Sequence, residues 1–367
     1  MAFFKRIVII GVGLIGGSLG MALRNRRLAD TVVGVGRSEE NLRAALQCGA
    51  IDRAAREPLP AVAQADIVVL AAHLKVNREL LKEIAPCLSP GTVVTDVGSV
   101  KGDIVRLARG LMPAGSFFVG GHPMAGSERQ GIAGADPYLF ENAFYILTPL
   151  RDQPEWALRK VRTMVQGVGA RVIELTPEEH DLAVAALSHL PHLVAYALVN
   201  SLAGLPEGER FLPLAAGGFR DTTRIALSNP LMWRDIFLFN REMLLTVLGS
   251  YKRELALLEE AVRHSSEEEL VALLQRAREM RECLPARTKG YLPEFFEILV
   301  AVPDRPGAIA SVTGILAREG VNIADIEIMR IREGEGGSVR LGFATEEEQE
   351  AAVQALRRTG MQVVKRK

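Results

Sequence analysis

Ile7-Val8-Ile9-Ile10-Gly11-Val12-Gly13-Leu14-Ile15-Gly16 joins an apolar β-branched run to a G-x-G-x-x-G turn, and helical sequence follows from Ser18 to Arg24. Each glycine has a physical task there. Gly11 permits a tight turn, Gly13 lets the backbone approach a pyrophosphate, and Gly16 lets helix and strand pack closely. The helix N-terminus adds N–H donors for phosphate oxygens. Strand, turn and helix in this order predict a dinucleotide-binding fold with Gly11, Gly13, Leu14, Ile15 and Gly16 at the cofactor. The competing reading is a glycine-rich turn in an unrelated α/β protein.

Outward from this stretch, short apolar runs alternate with helical sequence, at residues 7–10, 31–35, 66–70, 92–97, 117–119 and 144–147. Such alternation predicts βαβ units and a mainly parallel sheet, a Rossmann-type domain over residues 1–170. Helical periodicity without strand candidates then takes over, as in residues 178–205 and 232–264. It predicts an all-α domain over residues 171–290, with helices that pack as a bundle or across a homodimer. Leu284 to Gly290 reads as a linker. Residues 294–367 return to strand, helix, strand, strand, helix, strand, with pieces at 295–302, 308–319, 324–331, 339–344, 347–359 and 361–364. That is the ferredoxin-like βαββαβ order.

Composition narrows the partners. The chain has 367 residues, 48% hydrophobic and 24% charged, with 44 Lys plus Arg balancing 44 Asp plus Glu. Zero net charge gives no electrostatic case for nucleic acid or an anionic membrane surface. Cys48, Cys87 and Cys283 stand far apart without metal-ligand spacing, so no metal site is expected, and free thiols suit a reducing, cytoplasmic compartment. The basic, apolar start superficially resembles a signal peptide, but its glycines are better explained by the turn above. No uncharged apolar run is expected to reach the roughly 18 residues of a membrane helix.

Cofactor type is normally set about 20 residues after the glycines by an acid that bonds the ribose 2′-hydroxyl. Here Gly36 is followed by Arg37 and Ser38, with no carboxylate. An arginine and a hydroxyl can hold a 2′-phosphate, which leans towards NADP or dual use. Arg37 stacking on adenine is the alternative.

Three further segments carry chemistry. Gly120-Gly121-His122-Pro123-Met124-Ala125-Gly126 follows the apolar run Phe117-Phe118-Val119, placing one imidazole where an open sheet binds its ligands. A satisfied turn histidine is the bland alternative. Asp96-Val97-Gly98-Ser99-Val100-Lys101 ends another strand, and Ser99 either orients an imidazole or a substrate oxygen, or caps the next helix. Ser188-His189-Leu190-Pro191-His192 puts His189 and His192 on one helical face. Downstream, Gly217 to Arg224 spaces Arg220 and Arg224 four residues apart, with Asp221 able to orient Arg224. A guanidinium fork fits a carboxylate, so these groups together point to an anionic substrate between the sheet and the helices. Surface ion pairs and core packing are the plainer roles for the same residues.

With these residues in place, the chain resembles the prephenate dehydrogenase family of tyrosine biosynthesis, with a C-terminal ACT domain. The resemblance rests on GVGLIGGSL from Gly11, DVGSVKG from Asp96, GGHPMAGSE from Gly120, SHLPH from Ser188, GGFRDTTRIALSNPLMWRDI from Gly217 and VPDRPGAIASVTGILAREGVNI from Val302. It implies NAD(P)-dependent oxidative decarboxylation of prephenate to 4-hydroxyphenylpyruvate. It further implies that His122 takes the ring-hydroxyl proton with Ser99 assisting, and that Arg224 binds a carboxylate. His192 and His189 would line the side-chain end of the pocket, with Glu128 at its entrance. Two departures stand out: family members commonly carry an aspartate after the second strand and a proline-containing turn after the fourth. This chain has Gly36-Arg37 and Ala71-Ala72-His73-Leu74-Lys75. The family suggests NAD, whereas Arg37 and Ser38 permit NADP.

In ACT-type domains the loop after the first strand and a polar residue entering the second hold an amino acid, often across paired domains. Here these are Asp304, Pro306, Gly307 and Ala308, then Asn322 and Ile323. An aromatic amino acid, tyrosine foremost, is the expected effector. A purely dimerising module is the alternative, since fold alone does not imply function. Arogenate dehydrogenase is the rival within the same chemistry. A non-catalytic sensor would not need His122, Ser99 and Arg224 together, and a β-hydroxyacid dehydrogenase would need a catalytic lysine among the helices.

Overall fold

The computed structural model describes residues 2–126, 131–150, 152–283, 296–303, 305–330 and 337–366. They fall into two compact units, Met1–Gly290 and Tyr291–Lys367. In the first, β1 (Phe4–Ile10), β2 (Ala29–Val35), β3 (Arg53–Ala55), β4 (Ile67–Leu70), β5 (Val93–Asp96), β6 (Phe117–Pro123), β7 (Phe144–Thr148) and β8 (Arg171–Glu174) form one sheet in the order β3-β2-β1-β4-β5-β6-β7-β8. Neighbours are parallel except β6 and β7, which are antiparallel. The sheet is the Rossmann-type arrangement expected from the sequence.

Alternation along β1 explains why both faces are covered. Ile7 and Ile9 pack with Leu19 and Leu23 of α1 (Leu14–Asn25), whereas Val8 and Ile10 join a separate core on the other face. Around them run α2 (Glu39–Gln47), α3 (Pro58–Val62), α4 (Leu74–Ile84), α5 (Gly102–Leu111) and α6 (Glu155–Gly167). The sequence pattern misses β3 and β8. Both are edge strands of three and four residues with exposed or half-buried side chains, so they carry no buried period-two signal.

The helical part begins with α7 (Pro177–Val184), which passes through a π-helical turn (Ala185–His189) into α8 (Leu190–Ala203). Thr176 and Glu179 form a capping box, and Pro177 occupies the first turn, where its missing N–H costs nothing. Then come α9 (Gly217–Thr223), α10 (Pro230–Phe239), α11 (Arg241–Arg263) and α12 (Glu267–Glu282). The helix expected over 232–264 is thus two helices broken at Asn240, whose side chain is used elsewhere, as described below.

One expectation needs correcting. Pro177–Ala203 is a continuous helix of 27 residues whose length and composition would suffice to cross a membrane. The run was missed because serine, histidine, proline and asparagine interrupt it without adding charge. Several of those polar groups belong to the site instead.

The second unit comprises β9 (Phe296–Val302), α13 (Ala308–Arg318), β10 (Asp325–Arg330), β11 (Gly337–Phe343), α14 (Glu346–Arg358) and β12 (Val363–Arg366). Its sheet is antiparallel in the order β10-β11-β9-β12, the ferredoxin-like topology. Ile298, Val300, Val339, Leu341 and Phe343 pack against Val312, Leu316, Val353 and Leu356 of the two helices. Arg340 alternates to the other face, where it is buried against Glu297, Asp325 and Glu327. The linker at 284–290 lies outside the described residues.

Candidate active site

Gly11 leaves β1 at φ +103°, and a Cβ there would sit 2.7 Å from the Ala71 carbonyl carbon. A Cβ on Gly16 would collide with the Gly11 carbonyl oxygen, while Gly13 faces open space. Gly13 also starts α1 with no side-chain cap. The turn is therefore closed by backbone on two sides and open at the helix N-terminus, which fits a dinucleotide pyrophosphate. At the end of β2, Arg37 is exposed, and Ser38 caps α2 by accepting the Asn41 N–H at 3.2 Å. Asn41 in turn donates to the Val12 carbonyl at 2.6 Å, tying this edge to the glycine turn. His73 precedes α4 and is exposed.

Beyond the carboxyl ends of β5 and β6 lies a cavity lined by Ser99, His122, Met124, Ser188, His189 and Trp233, among others. A buried ion pair holds the strand end that leads into it. Lys101 Nζ binds the Asp96 carboxylate and donates to the Gly121 carbonyl at 2.7 Å. Asp96 also accepts the Gly98 N–H at 2.9 Å and the Gly121 N–H at 3.1 Å. The residue before His122 is thus held through both its backbone groups. A Cβ on Gly121 would lie 2.7 Å from the Asp96 carbonyl oxygen, which is why the motif needs glycine there.

His122 Nδ1 lies 2.8 Å from Nε2 of His180, whose Nδ1 lies 2.8 Å from Asp181 Oδ1. Asp181 accepts the backbone N–H groups of Lys101 and Gly102, each at 2.8 Å, capping α5 from another part of the chain. Asn240 donates to the Asp181 carbonyl at 2.8 Å and contacts His189 Nδ1 at 3.1 Å. Burial, then the neighbouring His180, Lys101 and His189, hold the His122 imidazolium well below its ordinary pKa. A neutral imidazole at the cavity wall can take a proton at physiological pH.

His192 stacks on Trp233 with ring centroids 3.5 Å apart, and His189 meets the same indole edge-on at 5.9 Å. The Trp233 N–H is buried without a hydrogen-bond partner among the described residues. His192 is held by the Ser188 carbonyl at 2.9 Å. Burial lowers its pKa, the Ser188 contact opposes this, and the nearby Arg224 cation lowers it further.

The structure therefore brings His122, Ser99 and His189 to one cavity, with His192 stacked behind Trp233. Arg224 lies near His192 but, like Arg220, is exposed and does not line the cavity. Glu128 lies outside the described residues. Ser99 is not the cap of α5, because Lys101 precedes that helix and Asp181 satisfies its first N–H groups. His180 and Asp181 were missed by the sequence reading. They stand next to each other in a helix start, and only the fold carries them under His122.

In the second unit, Pro306, Gly307 and Ala308 form the turn into α13, with Gly307 at φ +86°. Asn322 is exposed and Ile323 half-buried ahead of β10, while Asp304 lies outside the described residues. These two groups stand at opposite ends of an 11-residue helix, about 16 Å long. One copy does not bring them together.

A pyrophosphate cradle and a neutral histidine at the carboxyl ends of a parallel sheet define a dinucleotide-dependent dehydrogenase. The family model described as prephenate dehydrogenase, nucleotide-binding domain, matches residues 19–174, the prephenate dehydrogenase dimerization domain matches 176–276, and the ACT domain matches 296–359. A prephenate dehydrogenase of Bacillus subtilis is 38% identical over 355 residues, 95% of each chain. Among solved structures, prephenate dehydrogenase of A. aeolicus in complex with hydroxyphenyl propionate and NAD+ is 35% identical with a TM-score of 0.71, covering 76% of this chain and 97% of its own. Arogenate dehydrogenase of Synechocystis is 36% identical with a TM-score of 0.69, covering 76% and 99%. The chain belongs to the prephenate dehydrogenase family and carries a C-terminal ACT domain.

Proposed function

We propose that this enzyme converts prephenate to 4-hydroxyphenylpyruvate by oxidative decarboxylation in tyrosine biosynthesis. The reading is carried by His122, a neutral imidazole held from behind at the wall of a cavity beyond the carboxyl ends of β5 and β6. The glycine turn at Gly11–Gly16 would hold a nicotinamide dinucleotide, which would supply the acceptor for a hydride from the ring carbon bearing the hydroxyl. His122 takes the hydroxyl proton, and Ser99, on the same cavity wall, orients the hydroxyl or the imidazole. Loss of CO2 then aromatises the ring, and the phenolate oxygen so formed takes the proton back from His122. His189, His192 and Trp233 flank the substrate's side-chain end, and Arg224 supplies the cation for a carboxylate, with Arg220 one turn away.

For the cofactor, Gly11, Gly13, Leu14, Ile15 and Gly16 hold the pyrophosphate, and the exposed Arg37 beside Ser38 gives room and charge for a 2′-phosphate, so NADP serves as well as NAD. The helical part forms the homodimer. The ACT domain binds an aromatic amino acid, tyrosine foremost, between two copies, because Asn322 of one chain and the turn at Pro306–Ala308 cannot meet within it. Three free, exposed cysteines fit a reducing cytoplasm.

Turnover of the purified protein with prephenate and arogenate, each against NAD and NADP, tests the reading. Prephenate is expected to give the higher kcat/KM. Turnover of arogenate alone would overturn the substrate assignment. A preference for NAD above roughly a hundredfold would show that Arg37 and Ser38 do not hold the 2′-phosphate, since one charge-assisted contact is worth no more than about 3 kcal/mol.

A further inference from the structure

With His180 neutral, as its burial favours, the chain of contacts behind His122 has one consistent proton arrangement. The Asp181 carboxylate can only accept, and it already takes two backbone N–H groups from Lys101 and Gly102. His180 Nδ1, 2.8 Å from Asp181 Oδ1, must therefore donate. A neutral His180 then has a bare Nε2, which leaves His122 Nδ1, 2.8 Å away, as the donor in that contact. The proton of neutral His122 sits on Nδ1 and its lone pair on Nε2. An imidazole free in water favours the opposite tautomer, so the arrangement is imposed by its neighbours.

We propose that His180 is a positioning residue for the reaction, anchored by Asp181 and fixing His122 as the Nδ1–H tautomer, so that Nε2 is the atom that takes the substrate's hydroxyl proton. In that transfer the O–H bond breaks, an N–H bond forms at His122 Nε2, and the Nδ1–H stays in place pointing at His180. The imidazolium so formed keeps a hydrogen-bond acceptor whose far side is polarised by a carboxylate. This is the base-plus-orienter logic of activated sites, built here from two histidines.

His180 is fully buried, with no exposure of its own to substrate. The charged and titratable groups around the pair come from every element packed on it. They are Asp96 at the end of β5, Lys101 ahead of α5, Asp181 on α7, and His189 in the π-helical turn. Burial is the main reason His180 itself remains neutral, with Lys101 reinforcing it and Asp181 opposing it. Asn240 fixes the backbone of the anchor by donating to the Asp181 carbonyl. Asp181 also caps α5, so substituting it would mix positioning with folding, and His180 is the cleaner site to change.

The proposal rests on His122 being the base, and its tests separate the two ideas. His180→Phe keeps the volume and removes the acceptor. It should lower kcat on the order of 10–100-fold, the usual cost of losing an orienting partner, while KM for prephenate and the affinity for dinucleotide stay within about twofold. His180→Gln restores an acceptor near the lost Nε2 and should recover most of kcat. In the wild-type protein, 15N NMR of labelled imidazoles should find His122 protonated at Nδ1, and in His180→Phe at Nε2. Protonation of wild-type His122 at Nε2 would overturn the proposal without any activity measurement, and it stays decisive even if His180→Phe fails to fold. Wild-type kcat in a folded His180→Phe protein would overturn it as well. A normal rate in a His122 variant would instead remove the catalytic reading while leaving the tautomer result standing.

Discussion

The Asp181 carboxylate accepts the backbone N–H of Lys101 at 2.8 Å across 80 residues of sequence. A helix N-terminus next to the glycine-rich strands is thereby capped from the helical part of the molecule, and the same carboxylate anchors His180. One carboxylate of the helical region thus joins the start of α5 to the residue behind the base.

His122→Asn should preserve the fold and dinucleotide binding yet lower turnover by roughly 10²–10⁴-fold, the usual range for loss of a general base. Steady-state rates beside dinucleotide titration by fluorescence check both halves. A near-normal rate would remove His122 from the chemistry.

The acid limb of kcat/KM should fall below pH 6.5. His122 must be neutral to act, and its pKa lies well below that ordinary value, so activity persists as pH drops through the normal imidazole range. Stability follows a related course. Burial pushes His189 down to about 4, so its contribution is complete above 6.5 and is lost as pH falls through about 4. Two to three units correspond to roughly 3–4 kcal/mol at most. Denaturant midpoints flat between pH 7 and pH 4 would contradict this.

Lys101→Met should cost about 3–5 kcal/mol, because it leaves the Asp96 charge buried without its cation. Urea unfolding at pH 7 measures it. Since Lys101 also holds the Gly121 carbonyl, the variant should lose activity beyond its loss of folded protein. An unchanged midpoint would mean that the pair is not formed.

Arg224→Ala should raise KM for prephenate roughly 10–100-fold, the worth of about 1.5–3 kcal/mol for a charged hydrogen bond, with little change in KM for the dinucleotide. Its exposure in the absence of substrate makes a larger effect unexpected. Equal effects on both ligands would assign it a structural role.

Truncation after Lys289 should leave catalysis and remove sensitivity to tyrosine. The first unit is compact by itself, and the A. aeolicus and Synechocystis structures match almost their whole length while leaving about a quarter of this chain uncovered. Inhibition through the ACT domain also requires that tyrosine bind two states of the enzyme unequally. Should calorimetry on the full chain detect neither tyrosine nor phenylalanine, the domain is an assembly element.

What the sequence determined by itself was whatever local spacing encodes. The run from Ile7 to Gly16 specified strand, turn and helix because Gly11 and Gly16 answer local steric demands while Gly13 leaves the helix N-terminus open, and the spacing of apolar runs located the buried strands along the chain and the βαββαβ module. His122, Ser99 and His189 were legible because each sits in a segment with its own turn or helix chemistry. The short edge strands β3 and β8 were not, since half-exposed strands leave little periodic trace. His180 and Asp181 were equally hidden: beside a capping box they read as ordinary first-turn polar residues. Only the tertiary structure decided that they lie beneath His122, that Asp181 rather than Ser99 caps α5, and that Arg220 and Arg224 stay outside the cavity wall. Hydrogen bonds of 2.8 Å between residues 58 and 80 positions apart depend on how the sheet and helices pack, and no local pattern in the chain records that distance.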